Sequence, residues 1–232
     1  MLAGKVVLIT GATGALGRQL VSAFRETRAT LALVVRSASD VYEYSRLFDR
    51  MPDAATAAVV ESCDLRYEDE VVRLVHRVVA RLGRIDVLVN AATVVGPRYS
   101  LTDYPAEPWR YVIDTNVSGP YLLCREVIPW MVRQRQGSII NVTACPVESG
   151  RLDLGAFAVS NHSVLGLTEQ LAAELDGSGV RVNSVELAIP AAEGDAGPKD
   201  PAWTRAFVWL ASDASLDRTG QRIVAADFSK EN

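Results

Sequence analysis

Three cysteines, Cys63, Cys124 and Cys145, are too few, too far apart and odd in number for a disulfide framework. They fit a reducing compartment. Nowhere do apolar residues run on for the roughly 18 positions that a membrane span requires. Nor does Met1 open a basic leader with an apolar core behind it, so a soluble, cytoplasmic protein is the expectation. Positive charge is not in surplus: the net charge is −4 and the pI about 5.3, which leaves no electrostatic footprint for nucleic acid or an anionic membrane. Small molecules and other protein subunits are the partners that remain. No cluster of histidine, cysteine and carboxylate has metal-ligand spacing, and no repeat or low-complexity linker breaks the chain.

What is present is a rhythm. Short β-branched runs at 5–10, 30–35, 57–61, 85–90, 137–143, 180–185 and 222–226 alternate with amphipathic stretches such as Leu16 to Glu26, Glu68 to Leu82 and Trp109 to Arg135. Near-continuous apolar strands suit burial on both faces, and strict alternation with helices implies βαβ crossovers. The expectation is an α/β fold: a doubly wound, mostly parallel seven-stranded sheet with helices on both faces. At 232 residues and 49% hydrophobic the chain is ample for one core and short for two, so residues 1–232 read as one domain. Residues 188–203, rich in Ala, Gly and Pro, read as a loop. In such sheets ligands sit beyond the carboxyl ends of the strands, so the residues just after each strand carry the functional information.

The first such segment is TGATGALG, residues 10–17. Gly11, Gly14 and Gly17 permit a tight turn, close approach of backbone to a pyrophosphate and close helix packing, with Thr13 and Leu16 in the same turn. The alternative is a tight strand-to-helix turn with no nucleotide. After the second strand stand Arg36 and Ser37, where an NAD-preferring site places a carboxylate. A guanidinium there suits a 2′-phosphate, so NADP(H) is the expected cofactor and NAD(H) the alternative; a solvated surface arginine is the plainer reading.

With these features the chain resembles the short-chain dehydrogenase/reductase family, along nearly its whole length. The resemblance rests further on Asp64 and Leu65 in CDL, on Asn90 and Ala91 in LVNAAT (88–93), on Asn116 in DTNVSGPY, and on GSIINVTA (137–144), VRVNSV (180–185) and TGQRIVAAD (219–227). It implies a Rossmann-type sheet, adenine contact at Asp64, and a catalytic role for Asn116. It also implies a serine, a tyrosine and a lysine at positions that here hold Ala144, Phe157 and Asn161. A tyrosine that exchanges a proton needs its free pKa of about 10 lowered by a neighbouring cation. Phe157 has no proton to give, Asn161 no charge, and Ala144 no hydroxyl. Glu186, Leu187, Ala188, Ile189 and Pro190 replace the segment that meets the nicotinamide in the family, whereas the adenosine end at Gly11, Gly17, Arg36 and Asp64 is intact.

An amide at Asn161 retains the capacity to bond a ribose hydroxyl. His162 lies about 100° around the helix from Asn161 and is expected to point away from the site. Cys145 reads as a structural cysteine, and Glu148, Asp153 and Glu186 as loop carboxylates near the pocket. Three functions are open: an enzyme that holds NADP(H) while promoting a non-redox step on a small molecule, a non-catalytic pseudoenzyme, or a reductase with a relocated proton donor. Apolar residues beyond one face's requirement, Val127, Ile128, Trp130, Val159, Val164 and Leu167, predict a homodimer or homotetramer through the helices at 109–135 and 153–175.

Overall fold

The structure, a computed structural model, describes residues 2–49, 58–144, 153–187 and 203–231. Seven strands form: β1 (Val6–Thr10), β2 (Thr30–Val35), β3 (Ala58–Ser62), β4 (Val87–Asn90), β5 (Gly137–Ala144), β6 (Val180–Leu187) and β7 (Arg222–Val224). They pair in parallel in the order β3-β2-β1-β4-β5-β6-β7, with Val7 opposite both Leu31 and Val87. The continuous apolar runs are explained by the pleat, which sends successive side chains to opposite faces. Val7 and Ile9 enter one core with Leu31 and Leu33, while Leu8 enters the other with Ala32 and Val34.

Helices α1 (Ala15–Glu26), α2 (Ala38–Asp49), α7 (Thr204–Ala211) and α8 (Ala225–Glu231) cover the first face; α3 (Glu68–Leu82), α5 (Gly119–Gln134) and α6 (Gly155–Glu174) cover the second, and α4 (Ala106–Ile113) leads into α5. Phe24 on α1 and Phe207 on α7 are fully buried, each contributing about 1.5–3 kcal/mol. Acidic Glu68, Asp69 and Glu70 favour the N-terminus of α3, and Gly83, at φ 78°, closes its far end in the left-handed conformation.

Some boundaries differ from expectation. The stretch from Trp109 to Arg135 is not one regular helix: a π-helical turn, Asp114–Ser118, separates α4 from α5. Pro120 has no N–H to offer the Asn116 carbonyl one turn back, and the Gly119 N–H reaches five residues to Asp114 instead. β7 stops at Val224, and Ala225 and Ala226 open α8. Glu186 and Leu187, expected in a loop, extend β6 and pair with Thr143 and Ala144. Ala188, Ile189 and Pro190 lie outside the described residues, as do Cys145 and Glu148.

A buried polar chain fixes the strand ends that matter for the site. The Asn90 amide donates to Asn141 Oδ1 at 2.8 Å, Asn141 donates to Thr168 Oγ1 at 2.9 Å, and Thr168 donates to the Val164 carbonyl at 2.8 Å. β4, β5 and α6 are thereby locked in register through groups that are costly to leave unpaired.

Candidate functional site

The turn after β1 is shaped by what a side chain would strike. Gly11 sits at φ +69°, and a Cβ there would lie 2.8 Å from the Ala92 Cα. A Cβ on Gly17 would lie 2.8 Å from the Ala12 Cα and overlap the Gly11 carbonyl oxygen. The Gly14 N–H donates to that same oxygen at 3.0 Å, and α1 begins directly afterwards without a side-chain cap. First-turn N–H groups of a helix without such a cap are the kind of donors that suit an anion. The Thr13 carbonyl accepts from Arg18 Nε, and the Leu16 side chain packs toward the core. Thr10, not singled out from sequence, joins the turn to β4: its hydroxyl accepts from the N–H groups of Ala91 and Ala92, both at 3.0 Å.

Beyond β2 and β3 lies a charged and aromatic group. Arg36 Nη1 donates to the Tyr111 hydroxyl of α4 at 2.9 Å. Arg66 Nε donates to both oxygens of Asp64, at 2.9 and 3.2 Å. These bonds, with the nearby charges of Arg66 and Arg36, hold the Asp64 carboxyl below the usual carboxylate range. Ser37 is engaged with α2: its N–H donates to Asp40 Oδ2 and its hydroxyl accepts from the Asp40 N–H. Leu65 is buried against Gly119. Arg66, Tyr67 and Tyr111 were not legible as site residues, because what unites them is proximity across elements.

At the other end, the π-helical turn directs Asn116 inward. Its Oδ1 accepts from the Val94 N–H at 2.8 Å, and its Nδ2 donates to the Val94 carbonyl at 2.8 Å and to Ser160 Oγ at 3.0 Å. Ser160 in turn donates to the Phe157 carbonyl at 2.8 Å. Asn161 Oδ1 accepts from the Ala144 N–H at 2.7 Å, and its Nδ2 donates to the Phe157 carbonyl at 2.7 Å, leaving one amide N–H. The Phe157 ring packs with Ala144 and Leu154 in a small apolar cluster. Asn90, Asn116, Ser160 and Asn161 line a cavity of about 10 Å³, room for about one water, and among the described residues none that lines it is titratable.

The other candidates lie elsewhere. His162 is exposed on the outer side of α6, with Nδ1 2.9 Å from the Ala158 carbonyl oxygen. Asp153 pairs with Arg98 at 2.7 Å, and Glu186 is buried against Arg222. Among the described residues no three histidines, cysteines or carboxylates are placed to hold a metal, and no helix is long and apolar enough to cross a membrane.

A family-wide profile described as short chain dehydrogenase matches residues 5–196. (+)-Borneol dehydrogenase 2 of Salvia officinalis is 33% identical over 79% of this chain and 64% of its own length, so the chain spans just under two thirds of that relative. A 3-oxoacyl-(acyl-carrier-protein) reductase of Thermotoga maritima is 33% identical over 79% of this chain and 73% of its own. Among solved structures, a protein of Burkholderia xenovorans described as a short-chain dehydrogenase/reductase superposes with a TM-score of 0.85 at 26% identity, covering 96% of this chain and 95% of the other. With the glycine turn, the sheet order and the placement of Asn116 in view, the chain belongs to the short-chain dehydrogenase family.

Proposed function

We propose that residues 1–232 form one domain that binds NADP(H) and holds it while positioning a small molecule for a step other than the family's hydride transfer. The observation that carries this reading is the hydrogen bonding around Asn116, Ser160 and Asn161, which ties every one of these side chains to neighbouring backbone or to each other on a face with no ionisable group among the described residues. A carbonyl reduction requires a proton donor, and Phe157 and Ala144 offer none. Asp153 and Glu186 are each held in an ion pair, with Arg98 and Arg222. The backbone cradle at Gly11 and Gly17, which a Cβ would fill, fits a dinucleotide pyrophosphate. Gly11, Thr13, Gly14, Leu16, Gly17, Arg36, Ser37, Asp64, Leu65, Asn90, Ala91 and Asn161 would line its path. When bound, that group supplies a nicotinamide ring as a redox partner or as one wall of the pocket. The chain's own residues then orient and desolvate the small molecule, which by itself accelerates cyclisations, eliminations and isomerisations. Buried, unpaired Cys63 and Cys124 suit a reducing, cytoplasmic setting.

Titration of the purified protein is expected to show NADP(H) binding at least several-fold tighter than NAD(H). With ketones, quinones or simple alcohols present, turnover is expected below about 0.01 s⁻¹, against the usual 1–10³ s⁻¹ of enzymes. Absence of any nucleotide binding overturns the reading from one side, and brisk NADPH-dependent reduction overturns it from the other.

We further propose self-association through α4, α5 and α6. Val127 and Val164, expected at such an interface, are instead buried in the chain's own interior, with Val127 in the second core. Ile128, Trp130, Val159 and Leu167 are only partly covered, Tyr121 and Val132 are exposed, and Gly166 has open space in front of it. α6 carries partly covered apolar residues, Val159 and Leu167, beside an exposed polar side with His162, Glu169 and Gln170. Light scattering at micromolar concentration is expected to give a dimer or tetramer with an interface above about 1,200 Å². A monomer there refutes it.

A further inference from the structure

We propose that Tyr111 is a positioning residue for nucleotide specificity: its hydroxyl holds Arg36, and its ring supports Arg66, so that the two guanidinium groups together receive the 2′-phosphate of an adenosine nucleotide. The inference rests on the reading that Arg36 meets a 2′-phosphate and adds two residues to it from other elements.

Three segments meet at this point: the end of β2 with Arg36, the residues just after β3 with Asp64, Arg66 and Tyr67, and α4 with Tyr111. The Tyr111 hydroxyl accepts from Arg36 Nη1 at 2.9 Å. On the same residue, the Arg66 guanidinium carbon lies 4.8 Å from the ring centroid, and it lies 5.4 Å from that of Tyr67. Both oxygens of the Asp64 carboxylate accept from Arg66, and the Glu70 carboxylate accepts from the Asp64 N–H at 2.8 Å. Arg36 has no ion-pair partner among the described residues, and its single hydrogen bond there is the one to Tyr111. The Asp64 carboxylate is taken up by Arg66 and Glu70 faces the Asp64 backbone, so Arg36 is the guanidinium in this setting of flat faces that meets no carboxylate among the described residues.

The arrangement has a physical logic. An exposed arginine side chain has many rotamers, and capture of a phosphate from that ensemble sacrifices their entropy. Arg36 is instead tethered before any nucleotide arrives. The tether uses one of its five N–H donors, and the phenol that accepts it still has its own O–H to donate to a phosphate oxygen. Arg66 is oriented twice, by the Asp64 carboxylate and by the two aromatic faces, which fixes the plane of its fork.

Calorimetric titration of the nucleotide-free protein with NADP⁺, NAD⁺, adenosine 2′,5′-bisphosphate and 5′-AMP tests this. Tyr111→Phe, which keeps the ring, is expected to weaken NADP⁺ and the bisphosphate by about 3–10-fold while NAD⁺ and AMP change by less than about twofold. Tyr111→Leu, which also removes the ring face, is expected to weaken the same two ligands further. Equal losses for all four ligands would assign Tyr111 to the adenine alone and overturn the inference, as would no loss for any. Arg36→Gln separates the two levels. If it abolishes the preference for the 2′-phosphate and Tyr111→Phe does not, only the role of Tyr111 fails. If Arg36→Gln leaves the preference unchanged, or if the unmodified protein has none, the underlying cofactor reading fails with it. Thermal melts of each variant separate loss of binding from loss of fold.

Discussion

Gly17→Ala is expected to weaken nucleotide binding by about 100-fold or more and to lower stability by about 1–3 kcal/mol, the range for overpacking a tight site. The added methyl group would overlap the Gly11 carbonyl oxygen and lie 2.8 Å from the Ala12 Cα. Both obstacles are backbone, so no rotamer change relieves them. Relief requires the turn to open, and the turn is pinned from the other side, where Gly11 approaches Ala92 and Thr10 holds the Ala91 and Ala92 N–H groups. An opened turn no longer aims its N–H groups at one point, which is what a pyrophosphate requires. Calorimetric titration and urea denaturation measure the two effects. A variant that binds NADP(H) within about threefold of the parent would remove the glycine turn from the site.

Asn161→Lys is expected to destabilise the protein by about 1–3 kcal/mol, because it leaves the Ala144 N–H without the acceptor it now has at 2.7 Å. The same change puts an ammonium group on a face where Asn116, Ser160 and the Phe157 carbonyl offer dipoles but no carboxylate. Combined with Ala144→Ser and Phe157→Tyr, it is expected to restore little NADPH-dependent reduction, below about 0.1 s⁻¹. Hydride transfer requires placement to well under 1 Å, and β6 continues through Glu186 and Leu187 where the family's nicotinamide contacts begin. Each single change is expected to restore no measurable reduction, since the tyrosine needs the lysine and the serine assists a tyrosine already present. Stopped-flow absorbance with a ketone panel measures this. A triple variant turning over at about 1 s⁻¹ or faster would mean that the site is a reductase lacking three side chains and nothing else.

What could be read in the sequence was what local chain geometry decides. Each of the seven strand-like runs overlaps a strand, because a sheet covered on both faces demands apolar residues at consecutive positions. Gly17 was legible because the backbone that excludes a side chain there, at Gly11 and Ala12, lies within eight residues of chain, and Gly11 because its positive φ belongs to the same turn, although the Ala92 backbone it meets is distant. Phe157 and Asn161 were legible as neighbours because four residues make about one turn, and the Asn161 amide does reach the Phe157 carbonyl. What escaped depends on contacts distant in sequence. Nothing near Arg36 announces that Tyr111, 75 residues on, will hold it. Asn116 could be found by resemblance, but its clamp on Val94 follows from a π-helical turn that only the position of Pro120 hints at. Glu186 read as a loop carboxylate because the strand was ended at Val185; its neutralising partner, Arg222, comes from the next strand.

The strand order also sets a timetable for the chain as it is made. β1 is an interior strand whose two neighbours both come later: β2 begins at Thr30, β4 at Val87. The roughly 80 residues between Thr10 and Asn90 take about 4–16 s to synthesise at 5–20 residues per second. Until they emerge, β1 can be paired along one side by β2, and its other side presents bare N–H and C=O groups flanked by Val7, Leu8 and Ile9. An unpaired edge of that kind is a template for any other extended chain. That side of β1 is covered when β4 closes against it, and the bare edge then passes to β4 until β5, which begins at Gly137, pairs there.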